Sequence, residues 1–181
     1  MLISDTYITP QTKFRARDLG IPFEGEPATF NAITDVKGVE VGYSTLIDPH
    51  NNICTGITAI LPRGKCNTPS PVWAGQYDLN GNGEMTGTHW INEAGYFLGP
   101  VCITNTHSVG MVHHATTKWM LDTYDAHFKH GHAWAMPVVA ETYDGFMNDI
   151  TKPVVGEGHV LHALDSAQSG AIEEGNVGGG T

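Results

Sequence analysis

The sequence predicts a layered α/β or α+β domain, and three observations carry that class. Short strand-like runs fill residues 39–106, a long helical pattern follows at 108–131, and an apolar run at 133–140 leads into a second, shorter helical pattern. Each run is bounded by Gly, Pro, Asn or Asp, the residues that end regular structure. All 181 residues are read as one domain portion, with residues 1–17 as an N-terminal arm.

In chain order, RARDLGIPFEG at 15–25 carries Gly and Pro punctuation without a long period and reads as a loop. Val39, Val41, Tyr43 and Thr45 alternate with Glu40, Gly42 and Ser44, which predicts a strand with one solvated or site-facing side. Residues 48–52 form a turn, and a second strand at 55–61 is ended by Pro62 and Gly64. A loop at 65–71 leads into 72–77. Residues 84–94 and then 100–106 read as two more strands, the second apolar and central. Ser108 is placed to cap a helix whose Val112, Ala115, Trp119, Met120, Thr123, Tyr124 and His127 recur at helical spacing, with Gly131 as its stop. Val160, Leu161, Leu164 and Ala167 give a short helix stopped by Gly170.

Composition excludes several functions. The formal net charge is −10 with 9 Lys and Arg and no basic cluster, which argues against nucleic acid and anionic membrane surfaces as partners. No apolar run approaches the roughly 20 residues of a membrane span. The N-terminus lacks the basic-then-apolar order of a secretory signal, so a cytoplasmic setting is expected, with a removed signal peptide left open. Cys54, Cys66 and Cys102 are odd in number and widely spaced, and are expected to be buried free thiols.

Chemistry is concentrated where the apolar run ends, in PVVAETYDGFMND at 137–149. A carboxylate and a phenol two residues apart on a strand, Glu141 and Tyr143, would share a face, one negative charge beside one neutral donor. The bland alternative is a strand end that is polar because it meets water. DLNGNG at 78–83 opens like a calcium loop, but its twelfth position is His89 in place of a bidentate Glu, and the turn reading is preferred. Ten histidines invite a metal. His113 and His127 lie about 21 Å apart along one helix, and no recognised ligand spacing occurs, so no metal is expected. GNVGGGT at 175–181 is not a phosphate loop; its glycines suit close approach to a ligand or another chain. Because the sequence stops inside that run, the chain is expected to be a piece of a larger assembly or of a cleaved precursor.

Six stretches, RARDLGIPFEG, NAITDVKGVEVG, TGITAILPRG, NTHSVG, WAMPVVAETYDG and EGNVGGGT, occur in order from residue 15 to 181. Together they resemble the α-chain of the self-processing aminopeptidases of the L-aminopeptidase/D-esterase and β-peptidyl aminopeptidase group, peptidase family S58. The resemblance implies a four-layer αββα sandwich like that of N-terminal nucleophile hydrolases, with different strand connectivity. It also implies a precursor that cuts itself to expose a serine nucleophile on a partner β-chain, homo-oligomers of αβ units, and no cofactor. That nucleophile would lie outside these 181 residues, so neither Met1 nor Thr181 is a candidate. Residue by residue, Glu141 matches the carboxylate that holds the free amino group of a short peptide, amide or ester. Tyr143 and Asn176 match the oxyanion donors, and Trp134 matches a substrate-pocket residue. Strand parity sets Trp134 on the opposite face from Glu141 unless Pro137 introduces a bulge. Two alternatives stay open: an acyltransferase of similar fold, and a non-catalytic structural chain.

Overall fold

The computed structural model describes residues 14–66 and 68–179. In chain order the elements are β1 (Glu40–Asp48), β2 (Ile53–Leu61), β3 (Val72–Trp73), α1 (Thr88–Ala94), β4 (Tyr96–Phe97), β5 (Val101–Asn105), α2 (Val109–Thr123), α3 (Asp125–His130), β6 (Val138–Thr142) and α4 (Glu157–Asp165). The mixed α/β class is as expected. Four strands form a sheet in the order β1-β2-β5-β6, and β3 pairs with β4 separately.

The hairpin β1–β2 turns through residues 49–52, where the Asp48 carboxylate accepts from the His50 N–H and the Asn51 amide, and Asn52 takes the left-handed conformation (φ 55°). β2 meets β5 antiparallel, whereas β5 and β6 run parallel, Thr104 against Glu141. A parallel neighbour needs a crossover, and α2 and α3 supply it.

Ile57, Ala59, Leu61, Cys102 and Val139 share one face of the sheet and form the main core with Val112, Ala115, Trp119 and Met120 of α2 and Val160, Ala163 and Leu164 of α4. Burial pushes the Cys102 thiol up to about 11, opposed in part by its contact with the Thr116 hydroxyl, so it stays protonated and packs as a small apolar group. Cys66, expected to be buried, is only partly so. On the opposite face, Val138 packs with Ile91 and Phe97, and the segment 177–179 crosses β1 and β2. The Thr45 and Thr58 hydroxyls accept from the Gly178 and Gly179 N–H groups at 2.9 and 3.1 Å. The described residues thus build a helix layer and a sheet of the expected sandwich.

Several expectations change. Residues 84–94 are not a strand: 84–86 pair along the free edge of β6, and 88–94 form α1. Gly87 and Gly95, at φ 79° and 74°, bracket that helix, and Ile91 is buried where an amphipathic turn meets Phe97 and Val138. Within 72–77 only the two residues of β3 are strand. The long helix breaks at Tyr124 (φ −101°, ψ 19°), whose ring is buried against Trp119. Ser108 caps nothing with its side chain; the Asn105 side chain accepts from the Ser108 N–H instead, across a single 3-10 turn at 106–108. The side of β1 carrying Gly42 and Ser44 is not solvated but packed under α4, where Ser44 Oγ donates to the His159 carbonyl at 2.6 Å. Most of the expected arm at 1–17 falls outside the described residues. Arg15, within them, is buried, and its guanidinium donates to Glu174, Phe30 and Asn31.

The fit of α4 on β1 depends on Gly42. A Cβ there would stand 2.0 Å from the Ala163 carbonyl oxygen and 2.7 Å from the Ala167 nitrogen, both backbone and unable to swing aside. Gly42→Ala is expected to destabilise the protein by about 3 kcal/mol, read as a lowered urea midpoint at unchanged slope. A shift under about 0.5 kcal/mol would mean that α4 does not pack this closely.

Candidate functional site

Glu141 is the fourth residue of β6, and its backbone is hydrogen-bonded on the outer side as well. Its N–H donates to the Glu84 carbonyl at 3.0 Å, and the Thr86 N–H donates to the Val139 carbonyl at 2.9 Å. The side chain is partly buried at the wall of an open cavity of about 740 Å³. Asn82, Gly83, Glu84 and Thr86 line one side, and Thr106, Val109, Gly110 and His113 the other. Gly83 approaches so closely that a Cβ there would lie 3.0 Å from Glu141 Oε1.

Tyr143 lies one residue beyond β6, so strand alternation stops short of it, and its direction is set by the loop that follows. The ring is 63% exposed and stands edge-on to Phe146 at 5.7 Å. The loop is pinned at its base. The Asn148 amide donates to Asp144 Oδ1, its oxygen accepts from the Cys54 N–H, and the Asp149 N–H donates to the Asn52 carbonyl at 2.7 Å. Asn176 is exposed, with its amide nitrogen 4.0 Å from Cys54 Sγ. Cys54 therefore links the base of the Tyr143 loop to the segment that carries Asn176.

Trp134 stands apart. It precedes β6, so the parity conflict and the bulge at Pro137 do not arise. Its ring meets Trp90 of α1 at 4.2 Å, and with Gly87, Phe97, Leu98 and Met136 the two indoles line a much smaller cavity. The stretch 84–87 runs between the two cavities: Glu84 and Thr86 face the Glu141 side, and Gly87 the Trp134 side.

The Thr86 hydroxyl is occupied, donating to the Pro137 carbonyl and accepting from the Val139 N–H. Among the described residues lining the large cavity, no hydroxyl is hydrogen-bonded to a histidine or carboxylate, the pairing that activates a nucleophile. Sequence reasoning missed Asn82, Gly83, Glu84, Thr86, Thr106 and His113 as members of this site. DLNGNG was legible as a turn, but nothing local says that the turn ends against Glu141.

Comparison with known proteins extends this picture. The model of peptidase family S58 matches residues 31–181. A relative described as beta-peptidyl aminopeptidase BapA, from Sphingosinicella microcystinivorans, is 53% identical over 173 residues, 92% of this chain and 42% of its own. One of the same description from Sphingosinicella xenopeptidilytica is 46% identical over 176 residues, again with 42% of its length covered. Among solved structures, the L-aminopeptidase D-Ala-esterase/amidase of Ochrobactrum anthropi, described as a prototype of the serine aminopeptidases and a new variant of the Ntn hydrolase fold, superposes with a TM-score of 0.86 at 55% identity. It matches over 93% of this chain and 48% of its own. A Burkholderia beta-aminopeptidase gives 0.80 at 47% identity, with coverage of 92% and 47%. The chain therefore spans less than half the length of these relatives. Matched by the family's model through its sheet, its helices and its cavity, the chain belongs to peptidase family S58.

Proposed function

We propose that these residues are the α-chain of a self-processed serine aminopeptidase or amidase, whose nucleophilic serine lies on a partner β-chain from the same precursor. Membership of the S58 family supports the peptidase class. The observation that carries the finer reading is Glu141, a carboxylate on a rigid strand at the wall of a cavity large enough for a short peptide end.

An α-amino group with a pKa of about 7.7–8.0 is largely protonated at neutral pH, and Glu141 suits it as counter-charge. Only a chain end offers that ammonium, so the enzyme releases N-terminal residues from peptides, amides or esters. The partner serine oxygen bonds to the first carbonyl carbon, and the carbonyl oxygen becomes an oxyanion. The Tyr143 phenol and the Asn176 amide, both neutral donors, meet a charge that develops only in the transition state. The oxyanion collapses with cleavage of the C–N or C–O bond, the leaving amine or alcohol takes the proton given up by the serine hydroxyl, and water then hydrolyses the acyl-serine ester. In this reading Trp134, in the smaller apolar cavity across the stretch 84–87 from Glu141, completes the substrate pocket. The active form in this reading is a homo-oligomer of αβ units without a cofactor.

Tyr143→Phe is expected to lower kcat on an aminoacyl p-nitroanilide by about 10²–10³; an unchanged kcat removes the phenol from the mechanism. Glu141→Gln should act chiefly on binding, raising KM for free-amine substrates by about 10- to 100-fold. The exopeptidase reading is lost if the parent enzyme cleaves N-acetylated substrates equally well. Intact mass measurement of the full-length product should find a second chain beginning with Ser; a single uncut chain with full activity contradicts the scheme.

A further inference from the structure

Glu84 sits directly across from Glu141. Met85 bridges Ala140 antiparallel, and the flanking hydrogen bonds run from the Glu141 N–H to the Glu84 carbonyl and from the Thr86 N–H to the Val139 carbonyl, which sets residues 84 and 141 opposite each other. Side chains directly opposite in such a pair leave the same face, with Cβ atoms about 5.5 Å apart. Both residues line the large cavity. Like charges so placed repel, yet no Lys or Arg is among the described lining residues, and neither carboxylate is ion-paired with a described residue. His113, in the opposite wall, is the one other titratable group among the described lining residues.

The Thr106 hydroxyl oxygen, in the opposite wall, is buried and has no hydrogen-bond partner among the described residues, a group that a bound water or ligand would complete.

Resting on the reading of Glu141 above, we propose that Glu84 is a specificity-determining residue that makes this end of the cavity select N-terminal residues with a second, side-chain ammonium and disfavour acidic ones. Glu141 alone neutralises the terminal ammonium. Glu84 then remains as an uncompensated negative charge beside the substrate's first side chain, attracting a cation there and repelling a carboxylate.

The test compares kcat/KM of the full-length enzyme on lysyl-, norleucyl- and glutamyl-p-nitroanilide, whose first side chains are cationic, neutral and anionic. Wild type should rank them in that order. Glu84→Gln should reduce the lysyl-to-norleucyl ratio about three- to tenfold, the Coulomb effect of one charge about 6 Å away in a well-solvated site. Glu84→Asp, which keeps the charge, should restore most of that ratio, a rescue that a purely structural role would not give. In wild type the ratio should also fall as salt rises from about 20 to about 300 mM. A ratio that moves with neither Glu84→Gln nor salt, or a preference for the glutamyl substrate, overturns the role of Glu84 and leaves the aminopeptidase reading standing. Failure of wild type to cleave any of the three overturns that reading, and the role of Glu84 with it.

Discussion

The candidate site depends on a strand whose backbone is held from both sides. β6 takes parallel hydrogen bonds from β5 along one edge, and residues 84–86 close the other. An open edge would leave a row of unpaired N–H and C=O groups and a strand free to slip. Held as it is, Glu141 has little backbone freedom left to lose when a ligand arrives, so its carboxylate is pre-positioned. The same pairing brings a turn distant in sequence to the carboxylate and makes the cavity wall. Position and surroundings thus come from one set of hydrogen bonds.

Beyond Thr142 the constraint changes kind. Tyr143 is oriented by a loop, and that loop is tied to the β1–β2 turn through Asp144, Asn148, Cys54, Asp149 and Asn52. Asn176 reaches the same place from the C-terminal side, where Glu174 receives the Arg15 guanidinium at 2.7 Å and the Ala16 N–H at 2.8 Å. A buried guanidinium is tolerated when its donors are matched, and Arg15 also donates to the Phe30 and Asn31 carbonyls. This clasp joins the start of the described chain to the segment that crosses the sheet. The crossing is close because Gly178 and Gly179 have no side chains to hold it off. A Cβ at either would come within 2.3 Å of Thr58 Oγ1 or 2.0 Å of the Ile103 oxygen, respectively. Gly42, Gly56, Gly178 and Gly179 thus let backbone pack onto backbone on both faces of one sheet.

The hairpin β1–β2, the apolar β5 and β6, and the helices α2 and α4 were legible because their patterns are local: period two, period near 3.6, and Gly, Pro or Asn at the ends. Residues 84–94 were not, because Trp90, Ile91 and Ala94 fit a short helix as well as a buried strand, and the packing of Ile91 on Phe97 and Val138 settles it. Similarly, Gly42 and Ser44 read as a solvated side by polarity alone. Small residues under a tightly packed helix look the same in sequence as small residues facing water.

By itself the sequence determined the class of the domain, most of its regular elements, and, through six ordered motifs, a resemblance that the family match bears out. It also singled out Glu141 as a carboxylate at a strand end. Only the tertiary structure decided what stands beside that carboxylate. Glu84 is separated from Glu141 by α1, β4, β5, α2 and α3, and their pairing is a property of strand order rather than of any local period. The same holds for Trp134, which folding assigns to an aromatic cavity with Trp90, and for Tyr143, whose direction follows from hydrogen bonds made by its loop. Local spacing encodes which side of an element a residue occupies, while the neighbour it meets there is chosen by the pairing of distant segments.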